Sequence, residues 1–113
     1  MKYVLTLDLK NDPHKIAEYE KWHSLEGIWP EITAGIREVG IKEMEIFRWE
    51  NRLVMIVETD DDFNWDEQMK KLGTLPRQQE WELFMDSYQQ RLTENKDEKW
   101  QAMKKIFKLT ESK

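Results

Sequence analysis

Apolar and polar residues alternate at the start of the chain. The apolar positions are every second residue, namely Tyr3, Leu5, Leu7 and Leu9. This period of two predicts a β-strand with one buried face. Asp12 and Pro13 follow. They predict that the strand ends and a helix begins, because Asp caps helices and Pro suits the first helical turn.

The next two apolar patterns have helical spacing. The first helix has one face formed by Ile16, Tyr19 and His23. After a break over residues 24–27, a second helix is expected to begin at Pro30, whose fixed φ suits a first turn. Its apolar stripe consists of Ile32, Ile36 and Val39. Gly40 predicts its end.

Two strands and a hairpin are predicted in the middle of the chain. The strands are Ile41–Trp49 and Leu53–Glu58. Glu50 and Asn51 between them predict a tight turn. Both alternating positions of residues 53–57 are apolar, which indicates a central strand covered on both faces.

The second half of the chain predicts two more helices and a last strand. The shorter helix carries Trp65, Met69 and Leu72. The longer one begins at residues 74–76, and its stripe consists of Trp81, Phe84, Met85, Tyr88 and Leu92. Residues 93–97 are polar and predict a loop. Trp100 and Met103 predict a short helical turn, and Ile106–Leu109 predicts the last strand.

The order of these elements predicts the fold class. Strand, helix, strand, strand, helix, strand is the ferredoxin-like pattern. We therefore expect an α+β fold with a four-stranded antiparallel sheet and helices on one face, in a single domain over residues 1–113. The other face is apolar and needs a second layer. We expect a homodimer in which two sheets meet face to face as a dimeric α/β barrel.

Composition and charge narrow the classes of partner. The 113 residues carry a net charge of −5, and Lys and Arg are scattered. No nucleic acid and no membrane surface is expected as a partner, because both select clustered basic side chains. The absence of Cys excludes disulfides and thiolate chemistry. Neither a signal-peptide pattern nor a span of ~18 apolar residues is found, so a cytoplasmic protein is expected.

Two histidines offer acid or base chemistry. His14 falls in a first helical turn, where an exposed polar residue is expected. His23 lies four residues after Tyr19, so the two side chains share a helical face. A phenol beside an imidazole can donate and accept protons near neutral pH. A hydrogen-bonded core histidine remains the alternative.

Six Trp residues provide either core or a stacking surface. Trp65 and Trp81 begin helical stripes, which favours the core. Trp29 precedes Pro30, where a hydrophobic staple is common, and an indole also packs on the apolar face of a sugar. No metal and no cofactor is expected, because the two His stand apart from any carboxylate triad and no Gly-rich phosphate loop is present.

The chain resembles the L-rhamnose mutarotase family nearly from end to end. The resemblance is carried by Tyr19–His23, Ile28–Glu31, Gly40, Arg52–Glu58, Gln79–Trp81 and Ile106–Leu109. Its most specific part is the Tyr-x3-His pair followed by Ile-Trp-Pro-Glu. The resemblance implies a metal-free dimer that exchanges the α and β anomers of a 6-deoxy-L-hexose, either L-rhamnose or L-fucose.

The resemblance also implies catalytic and binding roles. His23 matches the general acid of the family, and Tyr19 matches a Tyr that contacts the substrate. Trp81 matches the first Trp of a pair that contacts the sugar, and Trp29 is expected in the same substrate site. Protonation of the ring oxygen by His23 would open the ring to the aldehyde, and closure on the other face would complete the exchange.

Two positions expected to bind substrate depart from the family pattern. Met44 stands where rhamnose-type members have a second Tyr, and Glu82 replaces the second Trp of the pair. The spacer at residues 24–27 is also longer than in the shorter members. These departures affect the wall of the pocket, and they bear on the identity of the sugar more than on the reaction.

Three other classes of function fit a dimer with such a pocket. One is a sugar or metabolite binding module without catalysis. Another is an oxygenase of the dimeric barrel type, since that fold also hosts haem-degrading enzymes, although the Ile-Trp-Pro-Glu segment does not fit it. The third is a purely structural dimer, in which Tyr19 and His23 would be ordinary packing.

Overall fold

The computed structural model of the protein describes residues 1–93 and 98–111. The elements within these ranges are β1 (Lys2–Leu9), α1 (Pro13–Trp22), α2 (Pro30–Glu38), β2 (Ile41–Trp49), β3 (Arg52–Thr59), α3 (Trp65–Leu72), α4 (Gln78–Asp86), β4 (Gln89–Gln90), β5 (Gln101–Ala102) and a 3₁₀ helix (Leu109–Glu111). The first strand and the hairpin of β2 and β3 were predicted with nearly these bounds.

The strands form one antiparallel sheet in the order β2-β3-β1-β4, and β5 also pairs with β1. The short strands β4 and β5 pair with different residues of β1, namely Asp8–Leu9 and Leu5–Thr6. Together they fill the fourth position of the sheet in two pieces. The predicted α+β, ferredoxin-like fold is confirmed.

Local sequence explains where the helices begin. The Asp12 carboxylate accepts hydrogen bonds from the backbone N–H groups of His14 (2.9 Å) and Lys15 (3.4 Å), and Pro13 opens α1. Pro30 opens α2 in the same way. His14 is exposed, as predicted. The first two helices are therefore determined by signals close in sequence.

The core lies between the helices and one face of the sheet, which we call the inner face. Its fully buried side chains are Leu7, Leu9, Leu53, Val57 and Met85. Leu7 of β1 lies opposite Leu53 of β3, so the two strands turn their buried residues to the same side. Burial of one such side chain stabilises the fold by about 1.5–3 kcal/mol.

Helices α2 and α4 pack closely at Gly35. A Cβ atom at Gly35 would overlap the side-chain nitrogen of Gln78. That nitrogen donates to the backbone carbonyl groups of Glu31 (3.1 Å) and Ile32 (3.3 Å), so Gln78 of α4 bonds directly to α2. The absence of a side chain at Gly35 is what leaves room for this bridge.

The predictions for the last third of the chain were partly wrong. Helix α4 ends at Asp86 rather than continuing through Leu92, because the chain turns at Tyr88 and pairs with β1. The predicted helical turn at Trp100 and Met103 is replaced by β5. The predicted loop at residues 93–97 lies mainly outside the described residues.

The predicted last strand, Ile106–Leu109, was also wrong. In the described part of the chain, residues 103–108 have no regular structure, and a 3₁₀ helix begins at Leu109. The reason is that β4 and β5 already occupy the edge of β1. The apolar side chains of Ile106, Phe107 and Leu109 are consequently exposed.

Among the described residues, no helix is both long and apolar enough to cross a bilayer. The cytoplasmic location stays a prediction from sequence.

Candidate active site

A cavity of about 530 Å³ lies between the inner face of the sheet and the helices. Its volume is within the range of about 300–1,000 Å³ that is typical of small-molecule pockets. Five residues predicted from sequence line it: Tyr19, His23, Met44, Trp81 and Glu82. Trp29 is not among its lining residues. We call this space the site cavity.

His23 occupies the C-terminal cap of α1 and is half-buried. Its Nδ1 lies 2.8 Å from the carbonyl oxygen of Tyr19, one helical turn back. A carbonyl oxygen only accepts hydrogen bonds, so Nδ1 carries the hydrogen in the neutral ring. Nε2 is then the nitrogen with a free lone pair, able to take a proton from a bound molecule.

Burial lowers the pKa of His23 from its usual 6.5, and the hydrogen bond with the Tyr19 carbonyl raises it by a smaller amount. Desolvation disfavours the charged imidazolium, which explains the direction. The imidazole is accordingly neutral at pH 7. In this state it is ready to act as a base.

Tyr19 is almost fully buried, and its ring lies against that of His23 with 4.2 Å between ring centroids. Burial raises the pKa of the Tyr19 hydroxyl to about 12, while a hydrogen bond with Gln89 lowers it and the charge of Glu82 raises it. The hydroxyl therefore keeps its proton across the physiological range and serves as a neutral hydrogen-bond donor or acceptor.

An aromatic cluster supports His23 from the side of α4. Trp81 is buried, and its ring meets that of His23 edge-on, with 5.4 Å between centroids. Trp29 packs edge-on against Trp81 at 4.9 Å and stacks on Phe84 at 5.7 Å. The guanidinium of Arg77 lies 4.0 Å from the ring centroid of Trp29. Trp29 thus buttresses Trp81 from behind.

The two positions that depart from the family pattern lie on opposite walls. Met44 is on the inner face of β2, opposite Val57 of β3, and is half-buried. Glu82 is on α4, and its carboxylate lies 2.9 Å from the Lys99 ammonium. Met44 therefore adds an apolar group and Glu82 a charged group to the lining of the site cavity.

The structure adds lining residues that sequence reasoning missed: Gln78, Gln89 and Trp100. Gln78 precedes Trp81 by three positions on α4, and helical spacing could have found it. Gln89 and Trp100 follow the end of α4. They reach the site because the chain turns back along β1, which no local pattern indicates.

Within residues 1–93 and 98–111, no group of three or more His, Asp or Glu side chains is arranged to hold a metal ion. The site cavity combines an imidazole and a phenol with partly apolar walls, an arrangement that suits the binding of a small molecule and proton transfer on it.

Comparisons with known proteins give the family. The model of the L-rhamnose mutarotase family matches residues 2–109. An L-fucose mutarotase of Xanthomonas campestris pv. campestris is 38% identical over 107 residues, covering 94% of this chain and 86% of that protein. A UPF0734 protein of Dictyostelium discoideum is 32% identical over 112 residues, covering 95% and 88%. The chain belongs to the L-rhamnose mutarotase family, and a mutarotase is an isomerase that acts on sugars.

Solved structures agree on the fold. The crystal structure of an L-rhamnose mutarotase from Formosa agariphila superposes with a TM-score of 0.69 at 18% identity, covering 96% of this chain and 98% of that one. Tetracenomycin F2 cyclase from Streptomyces glaucescens, a polyketide cyclase, gives 0.57 at 16% identity, covering 96% and 97%. At these identities the likeness concerns the fold alone, and the family rests on the sequence matches.

Proposed function

We propose that this protein, as one mutarotase domain, exchanges the α and β anomers of a 6-deoxy-L-hexose. The observation that carries the proposal is the pair of Tyr19 and His23 in the site cavity, where the Tyr19 carbonyl holds His23 Nδ1 and leaves Nε2 able to accept a proton. The 38% identity to an L-fucose mutarotase favours L-fucose over L-rhamnose as the substrate.

His23 would move one proton between two oxygens of the sugar. In the opening step, Nε2 takes the proton of the anomeric hydroxyl, the C1–ring oxygen bond breaks, and the aldehyde C=O forms. The imidazolium then returns the proton to the ring oxygen, which is the acid role expected from the family. Rotation about C1–C2 and the reverse steps close the ring on the other face, so atoms and charge balance.

Tyr19 and Trp81 would hold the sugar during this transfer. The Tyr19 hydroxyl, protonated because its pKa is about 12, donates a hydrogen bond to an oxygen that becomes negative. Trp81 packs on an apolar face of the ring, and Met44 contributes apolar surface on the opposite wall. Glu82 is proposed to bind a sugar hydroxyl, and Trp29 to act indirectly through the ring of Trp81.

Saturation-transfer proton NMR between the α and β signals tests the proposal. With wild-type protein we expect faster exchange than buffer alone for L-fucose and, less strongly, for L-rhamnose. D-glucose is the control sugar, since it is a D-hexose and carries a hydroxymethyl group in place of the methyl group. If the folded protein binds a deoxy sugar without accelerating exchange for either, the function is that of a binding module, and the mutarotase proposal is wrong.

The rate of anomer exchange is expected to decrease at acidic pH. The neutral imidazole is needed to open the ring, and burial holds the pKa of His23 below 6.5. The rate should therefore be constant near pH 7 and decrease as the pH falls through the pKa of folded His23. The unfolded chain binds this proton at higher pH than the folded one. The free energy of unfolding therefore decreases as the pH falls from 6.5, where His23 of the unfolded chain takes up its proton, to the lower pKa of the folded state.

Proton NMR of the His23 ring protons in the wild type provides the reference for that pH profile. The acid limb of the rate and the titration of His23 should coincide. A rate that stays constant after the His23 signal shows protonation would contradict the assigned role.

We also propose that the protein is a homodimer closed through the outer face of the sheet. The outer positions of β1, β2 and β3 include Val4, Phe47, Trp49, Val54 and Ile56. Phe47 is 52% exposed and Trp49 is 75% exposed. Val54 and Ile56 of β3 lie on the same side of the sheet, which no helix of the described chain covers. A second copy of the sheet would bury these apolar side chains together with Phe47 and Trp49.

Light scattering after gel filtration tests the homodimer. The wild type is expected at twice the 13.8 kDa of one chain. Phe47→Glu should shift the protein toward one chain, because it would place a charge in the apolar interface. Leu83→Glu is the matched control, since Leu83 is exposed on α4, away from the outer face. A wild type that elutes at the mass of one chain would refute the dimer.

A further inference from the structure

We propose that a second cavity beside the site cavity binds another sugar ring, so that the protein also accepts disaccharides whose reducing end is a 6-deoxy-L-hexose. The inference rests on the proposed function, because it assigns the reducing ring to the site cavity. It stands on the position and the lining of the second cavity, which we call the adjoining cavity.

The adjoining cavity has a volume of about 820 Å³ and is lined by residues of β1, α3 and β5, among others. Pockets of about 300–1,000 Å³ hold drug-sized ligands, which are larger than one hexose, so this space is large enough for a second ring. Several of its lining residues also line the site cavity, namely Met55, Met69, Leu72, Gln78, Glu82 and Trp100. The two cavities meet at this shared lining, where the proposal places the bond between the two sugar rings.

The adjoining cavity presents aromatic rings that suit the apolar face of a sugar. Tyr3 of β1 and Trp65 of α3 lie with 4.6 Å between their ring centroids, and both are half-buried. Trp100 is also half-buried and packs against both core clusters of the protein. These side chains therefore keep apolar surface that the C–H face of a pyranose ring would cover.

A carboxylate at the shared lining suits the hydroxyl groups of a sugar. The Glu82 side chain is 60% exposed, although one of its oxygens lies 2.9 Å from the Lys99 ammonium. A carboxylate has about four acceptor sites, so this ion pair leaves Glu82 able to accept hydrogen bonds from hydroxyl groups. A purely apolar ligand would take the carboxylate out of water without a hydrogen bond in return, which is unfavourable. The lining therefore favours a sugar.

The proposed reaction limits where the second ring is attached. The anomeric hydroxyl must be free, because ring opening removes its proton. A 6-deoxyhexopyranose has its other hydroxyl groups at C2, C3 and C4 only, since C6 is a methyl group. The second sugar is therefore bonded through O2, O3 or O4 of the reducing ring, and the bonds that break and form in the exchange are unchanged.

Three disaccharides test the proposal, namely L-fucose carrying a β-D-galactosyl group on O2, O3 or O4. Their anomer exchange is measured by saturation-transfer NMR over a range of sugar concentrations, with L-fucose as the reference. We expect at least one of them to have a KM about 10-fold below that of L-fucose with a similar kcat, because one aromatic contact is worth about that factor. If L-fucose is exchanged and none of the three has a lower KM, the proposal is overturned.

Gly73→Phe is designed to fill the adjoining cavity and leave the site cavity unchanged. Gly73 lines only the adjoining cavity of the two, and its φ of −62° suits any residue. A Cβ atom there would lie 3.5 Å from the carbonyl oxygen of Lys70 and 3.9 Å from that of Met69, which are ordinary contacts. We expect the variant to lose the lower KM for the disaccharide and to keep the wild-type KM and kcat for L-fucose. Lys71→Phe is the matched control, because Lys71 is exposed on α3 and lines neither cavity.

Trp65→Leu provides a second test in case Gly73→Phe does not fold. It removes one aromatic ring and keeps an apolar side chain at the start of α3. The KM for the disaccharide should rise toward that for L-fucose, and unchanged kinetics with L-fucose would show that the variant is folded. A disaccharide KM that stays at the wild-type value in every folded variant of this pair would overturn the proposal.

Isothermal titration calorimetry with L-fucose and the same three disaccharides separates this proposal from the proposed function. We expect at least one disaccharide to bind about 10-fold more tightly than L-fucose, and Gly73→Phe to remove the difference. This result in a wild type that exchanges neither kind of sugar would support the adjoining cavity and overturn the mutarotase function alone. If no disaccharide binds more tightly than L-fucose, the adjoining cavity does not bind a second ring and the inference is wrong.

Discussion

His23→Ala is expected to lower the catalysed anomer exchange by about 10²–10⁴-fold, the usual contribution of a general acid or base. The variant loses Nε2, the nitrogen that the Tyr19 carbonyl leaves with a free lone pair. No other histidine can replace it, because His14 lies in the first turn of α1 and is exposed. The measurement is the same saturation-transfer NMR, with the deoxy sugar that the wild type exchanges faster.

Two further variants test whether the loss of activity in His23→Ala is due to the missing Nε2 of His23. His14→Ala removes an imidazole from the same helix and should leave the rate within experimental error of wild type. His23→Asn can still donate to the Tyr19 carbonyl but has no nitrogen that titrates near neutral pH. We expect it to be as inactive as His23→Ala.

Circular dichroism shows whether the variants are folded. His23 is half-buried at a helix end, so its loss should destabilise the protein only modestly. A folded His23→Asn that exchanges sugar at the wild-type rate would remove His23 from the mechanism and leave Tyr19 as the remaining candidate.

Leu53→Ala is expected to have the largest effect on stability, lowering the free energy of unfolding by about 2–5 kcal/mol. Leu53 is 1% exposed and belongs to the core cluster that contains Tyr19 and Trp81. The cost combines the lost burial of the isobutyl group with the cavity that remains, because the rigid sheet beneath Leu53 limits collapse. Urea unfolding at one fixed protein concentration measures the change.

The same substitution at an exposed leucine provides the control. Leu25 is 99% exposed in the turn after α1, so Leu25→Ala should change the free energy of unfolding by less than about 0.5 kcal/mol. If Leu53→Ala costs no more than Leu25→Ala, the core is not organised around the β1–β3 pairing described above.

The first two-thirds of the fold could be predicted because its signals are local. Alternation predicted β1, Asp12 and Pro13 predicted the start of α1, and the hairpin of β2 and β3 follows two strand-like runs. The last third could not be predicted in this way. Tyr88 and Leu92 continue a helical stripe, yet the chain leaves α4 at Asp86 because pairing with the edge of β1 is favoured over further helix.

The residues of the candidate site also fall into those that local sequence predicts and those that depend on tertiary packing. Tyr19 and His23 share a face because four residues make about one helical turn, so sequence alone brought them together. The family resemblance pointed to Trp81, Met44 and Glu82, and all three line the site cavity. That Trp29 stands behind Trp81, away from the lining, depends on how α2 packs against α4 at Gly35.

Sequence by itself determined the elements in the first two-thirds of the chain, the fold class and the placement of Tyr19 and His23 on one helical face. Only the tertiary structure decided the pKa of His23 and which distant side chains surround the site. The lowered pKa of His23 comes from burial, and the contacts of Lys99 with Gln89 and Glu82 come from the return of the chain along β1. Periodicity reports which face of an element is buried. It cannot report which distant side chain will meet that face, because such contacts depend on the path of the whole chain.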